Sequence, residues 1–225
     1  MARIAIEGAI TGSTRRRVLK ALKEVQEREF PALLLRIDSP GGTVGDSQEI
    51  HAALLRLREK GCHVVASFGN ISASGGVYVG VAAETIVSNP GTITGSIGVI
   101  LRGNNLSKLL DRVGVKFETV KSGAFKDILS PDRALGAEER ELLQALIDSS
   151  YEQFVAAVAE GRKLDPSPPT SPPAPPQFTR TRSRSNHHCT HIFFEPWVCG
   201  TPFAHTLLRA ALTLRSIGSL RVSES

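Results

Sequence analysis

The chain has 225 residues and a net charge of +5, and 41% of its residues are hydrophobic, which is enough for one globular domain with an appendage. The charge is uneven, because residues 166–225 hold six arginines and two glutamates and so carry +4 of the +5. The body is nearly neutral and shows no clustered basic stripe of the kind typical of nucleic-acid-binding folds, so no nucleic-acid partner is expected. Three cysteines predict no disulfide framework, and no apolar run approaches the roughly 18 residues that span a bilayer.

The first half of the body alternates strands with helices. Hydrophobic alternation predicts a strand over residues 2–10, and a helix follows to about Glu29, capped by Ser13 or Thr14. Residues 32–38 are apolar on both faces, as in a parallel strand that helices cover on both sides. The next predicted elements are a helix over 46–60, a strand over 62–68 and a small-residue helix over 78–83.

The second half continues this alternation. Short strands are predicted over 84–88, 94–100 and 116–120, and a short helix over 106–113. A long amphipathic helix runs from Ala137 to about Glu160, and its apolar stripe is formed by Leu142, Leu146, Tyr151, Phe154 and Val158. Such alternation indicates an α/β fold with a mostly parallel sheet, in which sites gather in loops beyond the carboxyl ends of the strands.

The composition changes sharply at residue 165. Residues 166–176 contain seven prolines, which exclude helix and sheet and favour an extended polyproline conformation. We therefore expect a folded body over 1–164 and a largely disordered Pro/Arg/Ser-rich tail over 165–225. The cysteines and histidines between His187 and Cys199 fit no standard zinc spacing, so neither a metal site nor a cofactor is predicted.

The turn between the strand at 62–68 and the helix at 78–83 is a candidate catalytic site. Two glycines follow Ser74 there, and glycine lets a substrate backbone come close. The start of the following helix leaves free N–H groups that could hold the oxyanion formed when Ser74 attacks a carbonyl. The alternative is that Ser74 simply caps the helix.

A serine nucleophile also needs a base. His51 lies within a predicted helix, His63 within a predicted strand, and the other four histidines in the tail, which disfavours a Ser-His-Asp triad. A lysine serves instead where burial keeps it partly neutral. Lys121 and Lys126, in the loop after the strand predicted at 116–120, are the candidates, and the alternative for each is an ordinary surface lysine.

Four blocks of sequence, in order and at suitable spacing, resemble the signal peptide peptidase SppA family. They read DSPGG (38–42), SASGG (72–76), TGSIGV (94–99) and KSGAFKD (121–127). The resemblance covers residues 4–164 and suits the short bacterial form of the family. It implies a Clp/crotonase-like α/β fold of repeated ββα units, with a mostly parallel sheet flanked by helices. It also implies a serine endopeptidase with a Ser-Lys dyad.

The same resemblance implies a role for individual residues. By match to the motifs, Ser74 is the nucleophile and Lys126 the general base, Ser96 orients the lysine, and the N–H groups of Gly75 and Gly42 form the oxyanion hole. The family cleaves extended peptides such as signal-peptide remnants. Its members are oligomers, so a homo-oligomer with sites at subunit interfaces is expected.

The chain departs from the family at both ends. The family usually carries an N-terminal transmembrane anchor and the sequence shows no such segment, so a soluble or peripheral protein is expected. The family continues beyond residue 164 with a further strand and helix, whereas residues 165–225 look like an unrelated extension or the product of an altered reading frame. A catalytically inactive, truncated subunit is therefore the main alternative function, and a crotonase-like acyl-CoA enzyme is a less favoured one.

Overall fold

The computed structural model describes residues 1–164, so the tail predicted over 165–225, with its histidines and cysteines, lies outside the described residues. The chain forms two compact units. Among the described residues, unit 1 contains Met1–Gly98 together with residues 154–164, and unit 2 contains Val99–Gln153. The predicted boundary between body and tail stays a prediction.

Unit 1 holds a parallel sheet with helices between its strands. Its elements are β1 (Ala2–Glu7), α1 (Gly12–Glu27), β2 (Ala32–Ser39), α2 (Val44–Glu59), β3 (His63–Ala73), α3 (Gly75–Gly80), β4 (Thr85–Val87) and β5 (Ile93–Gly95). The strand order is β1-β2-β3-β4, with β5 also paired to β3, and every pairing between these strands is parallel. The predicted α/β class, with a mostly parallel sheet flanked by helices, is confirmed.

The core of unit 1 follows from the apolar pattern of its strands and helices. Leu33, Leu35 and Ile37 on β2 are fully buried, and the residues between them are half-buried, as in a strand with covered faces. Burial of each such side chain contributes about 1.5–3 kcal/mol. One face of each of the helices α1 and α2 is also buried, through Val18, Leu22 and Val25 on α1 and Ile50, Leu54 and Leu57 on α2.

Strand β3 determines where the Ser74 turn lies. It runs five residues beyond the predicted end at residue 68 and ends at Ala73, so that Ser74 separates it directly from α3. Strand β4 pairs with the first half of β3 and β5 with its last three residues, Ile71–Ala73. Because parallel strands end at the same edge of a sheet, the carboxyl ends of β2, β3 and β5 meet beside Ser74.

Besides β1 and β3, whose ends differ from the prediction, two further predicted strands are shortened or missing. The strand predicted over 94–100 ends at Gly95, because Gly95 (φ +97°) and Ser96 (φ +54°) leave the extended conformation. The strand predicted over 116–120 is not formed, and the described residues of unit 2 contain no strand with which it could pair. Phe117 and Val120 are exposed there, so alternating apolar residues did not produce a sheet face.

Unit 2 contains helix α4 (Ser107–Val113) and the first part of α5 (Ala137–Arg162), whose last part belongs to unit 1. The stripe predicted along α5 is wrong in its first half, because Leu142 and Leu146 are exposed. Phe154 and Val158, which belong to unit 1, are buried as predicted. None of the helices within residues 1–164 combines the length and the apolar character that crossing a membrane requires.

Candidate active site

Ser74 has an unusual backbone conformation. Its φ of +50° and ψ of −120° lie outside the regions that side-chain-bearing residues normally adopt. Two hydrogen bonds hold it there: its N–H donates to the Gly95 carbonyl at 2.8 Å, and its own carbonyl accepts the Tyr78 N–H at 3.0 Å. Strained conformations of this kind persist where the surroundings over-determine them, and they cluster at functional sites.

The hydroxyl of Ser74 is not used as a helix cap. Ser74 occupies the N-cap position of α3, but its side chain makes no capping hydrogen bond to the helix. The side chain is half-buried at the end of β3. The alternative role predicted for Ser74, capping through its hydroxyl, therefore lacks the contact that would define it.

The turn after β2 packs directly against Ser74. Gly41 has a φ of +102°, and a Cβ atom added there would lie 2.7 Å from Gly75 N and 2.8 Å from Ser74 Cβ. The next residue, Gly42, forms an isolated parallel bridge with Ile10. Ile10 donates to the Gly41 carbonyl at 2.9 Å and accepts from Thr43 N–H at 3.0 Å, so the N–H of Gly42 itself takes no part in the bridge.

Two free N–H groups consequently lie beside Ser74. A Cβ atom on Gly75 would lie 3.2 Å from Gly42 N and 2.5 Å from Ser47 Oγ, which shows how closely the two turns approach. Within residues 1–164, neither Gly42 N–H nor Gly75 N–H donates to another protein group. Two free donors close to one hydroxyl are the groups that can stabilise an oxygen atom that becomes negatively charged.

Asp38 holds the strand that leads to Ser74, a role that the sequence did not reveal. The pairing of β2 with β3 shifts register between Ile37 and Ser39, because β3 carries extra residues there. The Asp38 carboxylate accepts the N–H groups of Asn70 at 3.3 Å and Ile71 at 3.1 Å, which the bulge would otherwise leave unpaired. The only sequence signal was an aspartate at the end of a strand.

Ser96 lies at the same edge of the sheet. Ala73 pairs with Gly95 in the register of β3 and β5, so Ser74 and Ser96 are the next residues along two neighbouring strands. The side chain of Ser96 is exposed. The structure thus brings together four of the five predicted site residues, namely Gly42, Ser74, Gly75 and Ser96.

The two candidate lysines belong to unit 2, and they differ in their contacts. Lys121 Nζ donates to the Asp127 carboxylate at 2.6 Å and to the Ala124 carbonyl at 2.9 Å. Lys126 is exposed, so the burial expected of a lysine base is not provided by residues 1–164, and its Nζ forms no ion pair with any of these residues. The amine of Lys121 is therefore engaged in structural contacts, whereas the amine of Lys126 is not paired with a carboxylate in the described region.

The two histidines of the described region, His51 and His63, contact residues other than Ser74. Burial lowers the pKa of His51, whose ring contacts the edge of Tyr78 at a centroid distance of 5.0 Å. His63 lies 3.8 Å from the Glu84 carboxylate. No hydrogen bond joins either ring to Ser74, and no group of three or more potential metal ligands occurs in residues 1–164.

Comparisons with known proteins identify the family. Residues 56–170, more than half of the chain, match the model of Peptidase family S49. The chain is 65% identical over 164 residues to a Synechocystis sp. protein provisionally named protease slr0021, covering 73% of this chain and 59% of that protein. It is 39% identical over 148 residues to a protein of Enterococcus faecium provisionally named signal peptide peptidase SppA, covering 65% and 43%.

One more distant sequence relative agrees with this family. Protease 4 of Salmonella typhi is 38% identical over 135 residues, which cover 60% of this chain and 22% of that one. The matched part of the chain thus spans between about a fifth and three fifths of the length of these relatives. ClpP1 from Listeria monocytogenes is similar in structure at 17% identity, with 73% of this chain and 74% of that one covered and a TM-score of 0.45. The family match and the sequence similarity to SppA and Protease 4 show that this chain belongs to peptidase family S49.

Proposed function

We propose that the chain is a serine endopeptidase in which Ser74 is the nucleophile and Lys126 the general base. The observation that carries the proposal is the conformation of Ser74, with φ at +50° and a hydroxyl that makes no capping bond. Left-handed backbone costs about 1–2 kcal/mol for a residue with a side chain. Because the fold retains this strained conformation next to two free N–H groups, we infer a catalytic role for Ser74.

In the proposed reaction, the amine of Lys126 accepts the proton of Ser74 Oγ as this oxygen attacks the scissile carbonyl carbon. The carbonyl electron pair moves to the oxygen, which accepts hydrogen bonds from Gly75 N–H and Gly42 N–H. The intermediate then collapses and breaks the C–N bond, and Lys126 returns its proton to the leaving amine. A water molecule, deprotonated by Lys126, hydrolyses the acyl-enzyme, and Ser96 hydrogen-bonds Lys126 to orient its amine.

The proposed substrates are extended peptides, including remnants of signal peptides. Two features support this choice. The relative from Enterococcus faecium is provisionally named a signal peptide peptidase. The turn at Gly41 and Gly42 presents backbone without side chains, which suits a substrate that binds through its own main chain as an added strand.

We further propose that the active form is a homo-oligomer with sites at subunit interfaces. Most of the exposed large apolar side chains of the described residues belong to unit 2, with Val120 fully exposed and Phe117 at 61%. Exposed apolar surface on this scale is typical of interfaces. The others that support the proposal are Ile100, Leu109, Val113, Val115 and Phe125.

The test is covalent labelling of the full chain with a fluorophosphonate probe, together with turnover of a fluorogenic extended peptide. Ser74→Ala and Lys126→Ala are compared with the matched surface variants Ser13→Ala and Lys116→Ala. We expect both site variants to lose labelling and turnover by a factor of at least about 100, as for loss of a nucleophile or its base. The surface variants should retain both.

Oligomer size is measured on the same samples by light scattering. Labelling confined to the larger species supports assembly-dependent activity. Normal turnover by Ser74→Ala or Lys126→Ala contradicts the proposed dyad. A well-folded wild-type chain that neither labels nor cleaves indicates a catalytically inactive subunit, and turnover of an acyl-CoA that survives Ser74→Ala indicates the acyl-CoA enzyme.

A further inference from the structure

The segment around Lys126 has no regular secondary structure of its own. Three tight turns follow one another, in which the N–H groups of Lys126, Ile128 and Ser130 donate to the carbonyls three residues earlier at 3.3, 3.2 and 3.0 Å. Such turns fix the local backbone weakly, because each relies on one poorly oriented hydrogen bond. Additional contacts are therefore needed to hold the direction of a side chain in this segment.

Arg133 supplies those contacts within unit 2. Its Nε donates to one Asp127 carboxylate oxygen at 3.1 Å and its Nη2 to the other at 2.9 Å, while Nη2 also donates to the Asp127 carbonyl at 3.2 Å. A planar guanidinium that binds both carboxylate oxygens restrains orientation as well as distance. The residue held in this way immediately follows Lys126.

The other side of Arg133 is attached to the start of α5. Its Nη1 donates to Glu139 at 2.8 Å and its Nη2 makes a second bond to the same carboxylate. Glu139 is buried, at 6% exposure, and also accepts the N–H of Gly136 at 2.8 Å, as in a helix capping box. A continuous set of charged hydrogen bonds therefore connects the first turn of α5 with Asp127.

The side chains of Asp127, Arg133 and Glu139 are all ionised at neutral pH. Hydrogen bonds from Arg133 and then from Lys121 hold the pKa of Asp127 well below its usual range, and Arg133 lowers the pKa of Glu139 to about 2. Asp127 also pairs with Lys121, which removes that amine from other roles. Lys126 is left as the amine of this segment without an ion pair to the described residues.

We propose that Arg133 is a positioning residue for Lys126, which it directs by clamping Asp127 to Glu139. This inference rests on the proposed function, since it concerns the residue proposed as general base. Arg133 itself does not touch substrate. It determines how often the amine of Lys126 occupies the position from which it takes the proton of Ser74.

The test compares Arg133→Met with Arg140→Met, since Arg140 is a neighbouring exposed arginine that forms no ion pair within residues 1–164. Displacement of a catalytic group by about 1 Å costs up to about 100-fold in rate. We therefore expect Arg133→Met to lower kcat by about 10- to 100-fold while KM changes by less than about twofold. Arg133→Lys keeps the positive charge but lacks the planar guanidinium that binds both carboxylate oxygens, so it should recover only part of kcat.

Hydrogen exchange of the amides in residues 121–130 gives a second readout. We expect faster exchange in Arg133→Met and unchanged exchange in Arg140→Met. Glu139→Gln should lower kcat in the same direction, and the double variant should be no worse than Arg133→Met, because Glu139 acts through Arg133.

The outcomes separate this inference from the proposed function. Unchanged kcat in Arg133→Met, with Lys126→Ala inactive, overturns the positioning role and leaves the dyad standing. Normal turnover by Lys126→Ala overturns the dyad and the positioning role together. If no variant, including wild type, turns over substrate, amide exchange decides: acceleration confined to Arg133→Met supports the clamp, and unchanged exchange overturns it.

Discussion

Replacement of Gly41 by alanine tests the tight approach of the two turns at the candidate site. Gly41 has a φ of +102°, and the added Cβ would lie 2.7 Å from Gly75 N, 2.8 Å from Ser74 Cβ and 3.0 Å from the Ala73 carbonyl oxygen. Backbone and Cβ atoms cannot rotate away from a new methyl group. The strain must therefore be absorbed by movement of β3 or of the turn.

Two physical terms give the expected magnitude. A residue with a side chain pays about 1–2 kcal/mol at this φ, and forcing a methyl group into a filled site costs about 1–3 kcal/mol. We expect Gly41→Ala to lower the free energy of unfolding by about 2–5 kcal/mol, a large part of the stability of a typical domain. Because the atoms that must move include Gly75 N, turnover should fall beyond what the unfolded fraction explains.

Alanine substitutions at two other glycines separate the backbone cost from the packing cost. Gly8 has a φ of +71° but open space around it, so Gly8→Ala should cost only the backbone term of about 1–2 kcal/mol. Gly45 lies in the first turn of α2 with open space and ordinary φ, so Gly45→Ala should stabilise the helix by no more than about 0.5 kcal/mol. Urea unfolding followed by circular dichroism, with the slope m checked for constancy, measures all three. A Gly41→Ala cost no larger than that of Gly8→Ala would refute the packing argument.

Three further outcomes are expected. Asp38→Ala leaves two N–H groups of β3 without their acceptor and should lower the free energy of unfolding by about 1–2 kcal/mol in urea; no change would mean that water replaces the carboxylate fully. Phe154→Ala should cost about 3–5 kcal/mol because its ring is buried against Tyr78, whereas exposed Leu142→Ala should stay within about 0.5 kcal/mol. The pKa of Glu139 is depressed from 4.5 to about 2, so its bond to Arg133 stabilises unit 2 above about pH 4.5 and is lost as pH falls towards 2. Acid titration followed by amide exchange should show this loss, and a Glu139→Gln variant that keeps the same profile would contradict it.

The position of the Ser74 turn could be predicted because its determinants are local. An apolar run, a serine and two glycines, and then a run of small residues define a strand, a turn and a helix within about 20 residues. The φ of +50° at Ser74 could not be predicted in this way. It depends in part on the carbonyl of Gly95, which accepts the Ser74 N–H from a strand about 20 residues further along the chain.

Non-local contacts account for the other differences. The alternation over 116–120 was a real sequence pattern, but a strand needs a partner, and sequence does not reveal that unit 2 offers none in the described region. The role of Asp38 depends on a register shift against β3, about 30 residues away. The choice of Lys126 over Lys121 followed from resemblance, whereas the ion pair that engages Lys121 became visible only in the structure.

The left-handed backbone of Ser74 has a consequence for selection. Glycine adopts φ near +50° at no steric cost, so Ser74→Gly should raise the free energy of unfolding by about 1 kcal/mol, less the entropy that glycine adds to the unfolded chain. Stability and the presence of a hydroxyl at this position therefore oppose each other. A library of variants screened for heat resistance alone would therefore enrich glycine at position 74. Its most stable members would lack the serine hydroxyl proposed as the nucleophile.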